Sequence, residues 1–217
     1  MALALLRGTR MHVVLLGDSI FDNAAYTRGE PGVAAHLRSL LPVDVTATLL
    51  AVDGARVADL SAQIRRLPAD ATNLVVSIGG NDALGNFDLL SMRVTSSAQA
   101  LEIFAARIAA FETAYRAAIG GVAARGFPLT ICTIYNGALE KDIAAIAKLG
   151  VALFNDVILR TAADLRIDVI ELRAICNDAS DYANPIEPSG SGGLKIAKAI
   201  MRAVGPGGNR AAHLIGG

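Results

Sequence analysis

The amino-acid sequence predicts an α/β protein with a three-layer, doubly wound sheet of about five parallel strands. Two patterns along the chain lead to this fold class. Short apolar runs rich in β-branched residues alternate with longer segments whose apolar residues recur every three or four positions. Strands that alternate with helices in this way favour a parallel sheet with right-handed crossovers and helices on both faces.

The predicted strands are apolar runs, and the first and third of them lead directly into turn motifs. The first run leads into a Gly-Asp-Ser turn, and the third leads into a Gly-Gly-Asn-Asp turn. Gly126 and Pro128 interrupt a helical pattern and therefore introduce the fourth run. The five predicted strands span residues 12–17, 43–52, 72–78, 129–134 and 168–172.

The segments between the runs have the periodicity of helices with one apolar face. The longest begins near Ser96 or Ser97, either of which can cap its first turn, and its apolar stripe extends to Ile119. A helix over residues 141–165 follows, with a break expected near Gly150. The remaining predicted helices span residues 31–41, 57–67 and 194–204.

Length and composition indicate a single domain over residues 1–217, in which residues 205–217 form a flexible, glycine-rich tail. The 20 basic and 20 acidic residues leave no net charge, so neither nucleic acid nor an anionic membrane is a predicted partner. No run approaches the roughly 20 apolar residues that span a bilayer. We expect a cytoplasmic protein. No metal or organic cofactor is predicted, since the chain has no zinc-type ligand spacing.

Chemically useful residues follow the first three predicted strands. The hydroxyl of Ser19 is a candidate nucleophile, and the backbone N–H of Gly54 and the side-chain amide of Asn81 are candidate oxyanion donors. Asp18 and Asp82 lie beside them and are candidate substrate-binding residues. Each residue has an alternative role in ordinary turn chemistry. Ligands bind beyond the carboxyl ends of parallel strands, so this topology brings all three loops to one edge of the sheet.

These motifs resemble those of the SGNH (GDSL-type) hydrolase family. The first three blocks of that family correspond here to VLLGDS at residues 14–19, DG at 53–54 and IGGND at 78–82. The resemblance implies a flavodoxin-like sheet and hydrolysis of a small-molecule ester through an acyl-serine intermediate. It implies that Ser19 is the nucleophile and that Ser19, Gly54 and Asn81 donate hydrogen bonds to the oxyanion.

The fourth block departs from the family pattern of Asp-x-x-His before the last helix. The corresponding segment is Asn184-Pro185-Ile186-Glu187, so Asn184 replaces the aspartate and Glu187 replaces the histidine. Glu187 is the first candidate base, with the amide of Asn184 donating a hydrogen bond to it. A carboxylate is about two pKa units weaker than imidazole, a handicap of roughly 3 kcal/mol unless burial raises its pKa.

The absence of a histidine from this block leaves two alternatives to Glu187 open. A histidine can arrive from elsewhere in the chain, where His12, His36 and His213 are available, and the tail position of His213 favours it. Alternatively, the protein is a non-hydrolytic binding module that retains the binding half of the site and has lost turnover.

The loops over residues 20–30 and 83–95 are expected to wall the pocket. Apolar side chains in them are candidates for an acyl site: Phe21, Tyr26, Phe87, Leu89 and Leu90.

Overall fold

The centre of the molecule is a five-stranded parallel sheet, seen in a computed structural model that describes residues 11–205. The strands are β1 (His12–Gly17), β2 (Thr46–Leu49), β3 (Asn73–Ser77), β4 (Leu129–Cys132) and β5 (Asp168–Ile170). Their order in the sheet is β2-β1-β3-β4-β5, and every neighbouring pair is parallel. The predicted α/β fold is therefore confirmed. The strand order reverses at β1, because β2 lies on one side of β1 whereas β3, β4 and β5 lie on the other. In folds of this topology ligands bind at such a reversal, here between β1 and β3.

Seven α-helices accompany the sheet in the described residues. They are α1 (Val33–Leu40), α2 (Leu60–Ile64), α3 (Gly80–Leu84), α4 (Ser97–Ala123), α5 (Lys141–Leu165), α6 (Leu172–Ile175) and α7 (Gly190–Val204). Short 3₁₀ turns form at Val57–Asp59, Phe87–Ser91 and Ala179–Asp181.

Two apolar cores, one on each face of the sheet, create the three layers. Strand β1 is buried along its whole length, and its side chains alternate between the cores: Val14 and Leu16 face one, Val13 and Leu15 the other. Helices α2, α4 and α5 cover the first core, whereas α1 and α7 cover the second. The sheet is thus packed on both sides, as all-parallel sheets require.

Several predicted element boundaries were wrong for identifiable reasons. Strand β2 is shorter than predicted, because a turn brings Val43 fully into solvent before pairing begins at Thr46. Helix α5 continues through Gly150 without a break. Helix α7 begins at Gly190 rather than near residue 194, because the side chain of Ser189 accepts a hydrogen bond from the Gly192 N–H.

The structure bears only in part on the expectations about membrane spans, domain organisation, location and partners. From residue 11 to residue 205, no helix combines the length and apolarity needed to cross a bilayer. The predicted single domain and the flexible tail extend beyond the described residues and stay predictions. The cytoplasmic location and the absence of a nucleic-acid partner also stay predictions.

Candidate active site

The backbone leading to Ser19 is held rigidly at the end of β1. Gly17 has a φ of 127°, and a Cβ at this position would overlap the carbonyl oxygen of Ser77, so only glycine fits. The buried carboxamide of Gln63 accepts a hydrogen bond from the Gly17 N–H (2.7 Å) and donates one to the Gly17 carbonyl (2.8 Å). The sequence interpretation missed Gln63. The only signal was its position directly before Ile64, which lies on the predicted apolar face of the helix.

The side chain of Ser19 meets that of Glu187, which lies 168 positions later in the chain. The Oγ atom of Ser19 donates a hydrogen bond of 2.9 Å to Oε1 of Glu187. Both residues are buried, with exposed fractions of 8% and 5%. A buried serine hydroxyl that donates to a carboxylate has the geometry of a nucleophile and its general base.

Burial gives Glu187 a basicity close to that of histidine. It raises the pKa of this carboxyl from 4.5 to about 7; the hydrogen bond from Ser19 opposes the rise, and the negative charge of Asp53 adds to it. Among the described residues, no donor partners the buried Oε2 atom of Glu187. Because an unperturbed imidazole has a pKa of about 6.5, the handicap expected for a carboxylate base largely disappears.

The loop that carries Glu187 is fastened on both sides. The Asn184 Oδ1 atom accepts hydrogen bonds from the N–H groups of Ile186 and Glu187, both at 2.9 Å. The Tyr135 hydroxyl donates to the Ile186 carbonyl at 2.6 Å. On the other side, the fully buried Asn23 donates to the carbonyl of Pro188.

The role expected for Asn184 therefore needs correction. We predicted that its amide donates to the carboxylate of Glu187, but its oxygen instead accepts from the backbone of the loop. The side chain of asparagine is short, so it reaches the backbone N–H groups two and three residues ahead more readily than it reaches the carboxylate of Glu187. Asn184 shapes the turn, and the Ser19 hydroxyl is the group that donates to the carboxylate.

Asn81 lies at the start of helix α3 and faces the same cavity as Ser19 and Glu187. Its Nδ2 atom donates one hydrogen bond, of 3.0 Å, to the carbonyl of Ala55. A carboxamide nitrogen carries two hydrogens, so one remains available. Asn81 is thus oriented by the neighbouring loop and keeps a donor for a ligand.

Gly54, in the loop after β2, is not one of the residues that line the cavity. It has a φ of 79°, in the region that favours glycine. The residue before it, Asp53, donates its N–H to Asp22 near Ser19, and the residue after it, Ala55, accepts from Asn81. These bonds tie the loop after β2 to the two neighbouring loops and hold Gly54 between them.

The two candidate substrate-binding aspartates have different surroundings. Asp18 is buried in the cavity wall, and burial raises its pKa to about 8, with further increases from the charges of Glu187 and Asp82. Its Oδ1 atom accepts a hydrogen bond from the Ile20 N–H. Asp82 is not among the lining residues and accepts a hydrogen bond from the Val57 N–H, which ties α3 to the neighbouring 3₁₀ turn.

A cavity of about 110 Å³ opens in front of Ser19 and Glu187. Of the apolar residues predicted to form an acyl site, Phe87 and Leu90 line it. The others do not: Phe21 and Leu89 are buried elsewhere and Tyr26 donates to Asp53. Helix α5 and the loop before it supply much of the wall, which sequence reasoning missed.

A comparison with protein-family models identifies the family. The model of the GDSL-like lipase/acylhydrolase family matches residues 15–192. The chain belongs to this family. The resemblance seen in the sequence motifs is thereby confirmed, and membership supports ester hydrolysis as the general class of activity.

Solved structures of other hydrolases share the fold. One is a catalytic mutant, with serine changed to alanine, of an acetylxylan esterase from Geobacillus stearothermophilus (18% identity, 91% of this chain and 95% of that chain, TM-score 0.67). Another is an extracellular lipase from Streptomyces rimosus (16% identity, 89% of this chain and 100% of that chain, TM-score 0.66). A third is phospholipase A1 from Streptomyces albidoflavus (17% identity, 90% of this chain and 100% of that chain, TM-score 0.66). No curated protein matches the chain.

The histidines in the described part of this family member lie away from the cavity. His12 is on β1, where its ring contacts Thr48 and Asp70. His36 is on α1, where it faces α7. Neither is among the residues that line the cavity, and His213 lies outside the described residues. No three His, Cys, Asp or Glu side chains between residues 11 and 205 group closely enough to hold a metal ion.

Proposed function

We propose that this protein hydrolyses carboxylic esters of small molecules through an acyl-serine intermediate, with Ser19 as nucleophile and Glu187 as general base. The hydrogen bond of 2.9 Å from Ser19 Oγ to Glu187 Oε1 carries the proposal. Family membership supports the reaction class. The serine-to-alanine catalytic mutant of the Geobacillus esterase adds support for serine chemistry on this fold.

In the acylation step, Oγ of Ser19 attacks the ester carbonyl while its proton passes to Oε1 of Glu187. The carbonyl π electrons move to oxygen and form a tetrahedral oxyanion. This intermediate collapses, the bond to the alcohol oxygen breaks, and Glu187 returns the proton to that oxygen. A carboxyl with a pKa of about 7 accepts and releases this proton near neutral pH.

The developing oxyanion requires donors aimed at one point. In this proposal they are the free Nδ2 hydrogen of Asn81 and the backbone N–H groups of Ser19 and Gly54. Asn81 is held in place by Ala55. Gly54 is not among the residues that line the cavity, but the carbonyl of the next residue, Ala55, contacts Asn81 directly.

Deacylation repeats the chemistry with water in place of the hydroxyl of Ser19. Glu187 takes a proton from the attacking water, and the acid product leaves as Ser19 recovers its proton. Asp18 retains its proton at neutral pH, since burial raises its pKa to about 8. A neutral Asp18 leaves Glu187 as the charged group at the nucleophile and avoids direct repulsion between them.

Covalent labelling tests the nucleophile. Incubation with a serine-directed organophosphonate, followed by intact mass and peptide mapping, should give one adduct on Ser19. The Ser19→Ala variant should lose both the adduct and hydrolysis of short-chain esters, whereas a control change at the exposed Ser61, to alanine, should alter neither. Full turnover by Ser19→Ala would contradict the proposal. The absence of an adduct, together with saturable ligand binding, would favour the non-hydrolytic binding module.

A further inference from the structure

We propose that the acyl group of the substrate is a straight aliphatic chain with about four or five carbons beyond the carbonyl, held in the cavity against helices α4 and α5. This inference rests on the proposed hydrolase function and specifies its substrate class. It concerns the part of the cavity that the catalytic groups do not occupy.

The wall supplied by α4 and α5 is entirely apolar. Both helices are fully described, and the residues that they contribute to the lining are Phe104, Ile146, Ala147, Gly150, Val151 and Phe154. The charged lining residues come from elsewhere: Asp18 from the loop after β1 and Glu187 from the loop before α7. A cavity with this division fits a substrate that has a reactive polar group and an apolar chain.

The α5 residues in the wall form one face of the helix. They recur at spacings of one, three and four positions, which is the pattern of a single helical stripe. Along this stripe, Ile146 is 51% exposed and Phe154 only 4% exposed. Phe154 packs edge-on against Phe111, with 4.8 Å between the ring centroids. The stripe therefore leads from solvent to a closed aromatic floor.

Gly150 lies at the centre of this stripe and leaves room for a ligand. A Cβ at this position would have no atom within 4 Å of it. The helix continues through Gly150 although glycine is a weak helix former, so its small size is not needed to end or bend the helix. The missing side chain contributes to the open volume of the cavity.

The volume sets the length of the chain. An apolar cavity of about 150 Å³ accommodates one benzene molecule, so the 110 Å³ present here accommodates about four or five carbon atoms. An acetyl group would leave most of this space unfilled. Chains much longer than six carbons would extend past Ile146, which is exposed, and would gain little more burial.

The test is a chain-length profile measured with straight-chain 4-nitrophenyl esters from acetate to dodecanoate. Each buried methylene should raise kcat/KM about fourfold, so the profile should climb to pentanoate or hexanoate and then level off. In the Gly150→Leu variant, the new side chain fills the cavity. The ratio of its kcat/KM for hexanoate to that for acetate should fall at least about tenfold relative to the wild type.

The matched control is Gly121→Leu, at an exposed position of α4 where a Cβ also meets no atom within 4 Å. It should leave the profile unchanged. Both variants replace a helical glycine with a better helix former, so loss of folding is not expected. A wild-type profile that is flat or highest for acetate, or a profile unaffected by Gly150→Leu, would overturn the inference.

A binding measurement separates the acyl site from the proposed chemistry. Calorimetry with hexanamide and acetamide on the Ser19→Ala variant reports chain recognition without turnover, and hexanamide should bind at least about tenfold more tightly. Such a preference in a protein that cleaves no ester would support the acyl site and refute the hydrolase proposal. Equal binding of the two amides would overturn the acyl site.

Discussion

Replacement of Glu187 by glutamine should abolish ester hydrolysis and also remove a loss of stability that the wild type undergoes as the pH rises from 5 to 8. Glutamine keeps the size of the side chain and an oxygen for the Ser19 hydroxyl, but it cannot take the proton. The pKa of Glu187 is raised from 4.5 to about 7 by burial, so the folded state opposes its ionisation. At about 1.36 kcal/mol for each pKa unit, ionised Glu187 destabilises the fold by about 3 kcal/mol above pH 8.

The sign of this effect follows from proton binding. Between pH 4.5 and about 7, the folded state retains the Glu187 proton while the unfolded chain has released it. Wild-type stability therefore falls as the pH rises through this window. The variant lacks this proton, so its advantage in the free energy of unfolding should grow by about 2 kcal/mol from pH 5 to pH 8. For a chain of this size, that corresponds to roughly 4–8 °C in Tm.

The assay combines urea unfolding at pH 5 and pH 8, followed by circular dichroism, with ester hydrolysis by the same preparations. Glu102→Gln is the control, because Glu102 is an exposed glutamate on α4. That change should affect neither activity nor the pH dependence of stability. If the stability of Glu187→Gln relative to the wild type does not rise from pH 5 to pH 8, or if the variant hydrolyses esters at the wild-type rate, Glu187 does not have the raised pKa and the role of base given to it here.

Three further predictions concern the same site. The kcat/KM of the wild type should rise about tenfold per pH unit below pH 7 and level off above about pH 8, since the base must be ionised; a rate independent of pH from 5 to 8 would remove Glu187 from the mechanism. Tyr135→Phe leaves the Ile186 carbonyl without its donor and loosens the Glu187 loop, so steady-state kinetics should show kcat about tenfold lower with little change in KM. Gln63→Leu leaves the N–H and C=O groups of Gly17 unpaired in the interior, and urea unfolding should show a loss of about 2–4 kcal/mol.

Local patterns account for what could be predicted about the fold. The alternation of apolar runs with amphipathic segments indicated five parallel strands, and the structure contains five. The motifs around Ser19 and Asn81 were recognisable because their residues are contiguous. The carboxyl ends of parallel strands share one edge of the sheet, which brings both residues to one cavity.

Details that depend on contacts between distant segments were predicted less well. The start of α7 depends on Ser189, and Gly192 fits closely against the Asp181 backbone, which no helical periodicity reveals. Asn184 was correctly placed in the loop of Glu187, but its hydrogen-bond partner was wrong. The apolar wall from α5 was missed because the helical stripe of residues 146–154 has the same pattern as an ordinary core-facing stripe.

The sequence by itself determined the sheet, the family and the identity of the nucleophile candidate, because these depend on periodicity and on short motifs. Only the tertiary structure decided that Glu187 meets Ser19 and that its pKa lies near 7. The basicity of a carboxylate depends on the solvent and charges around it. Those surroundings come from segments far apart in the chain, so they exist only after folding has buried Glu187 beside Ser19.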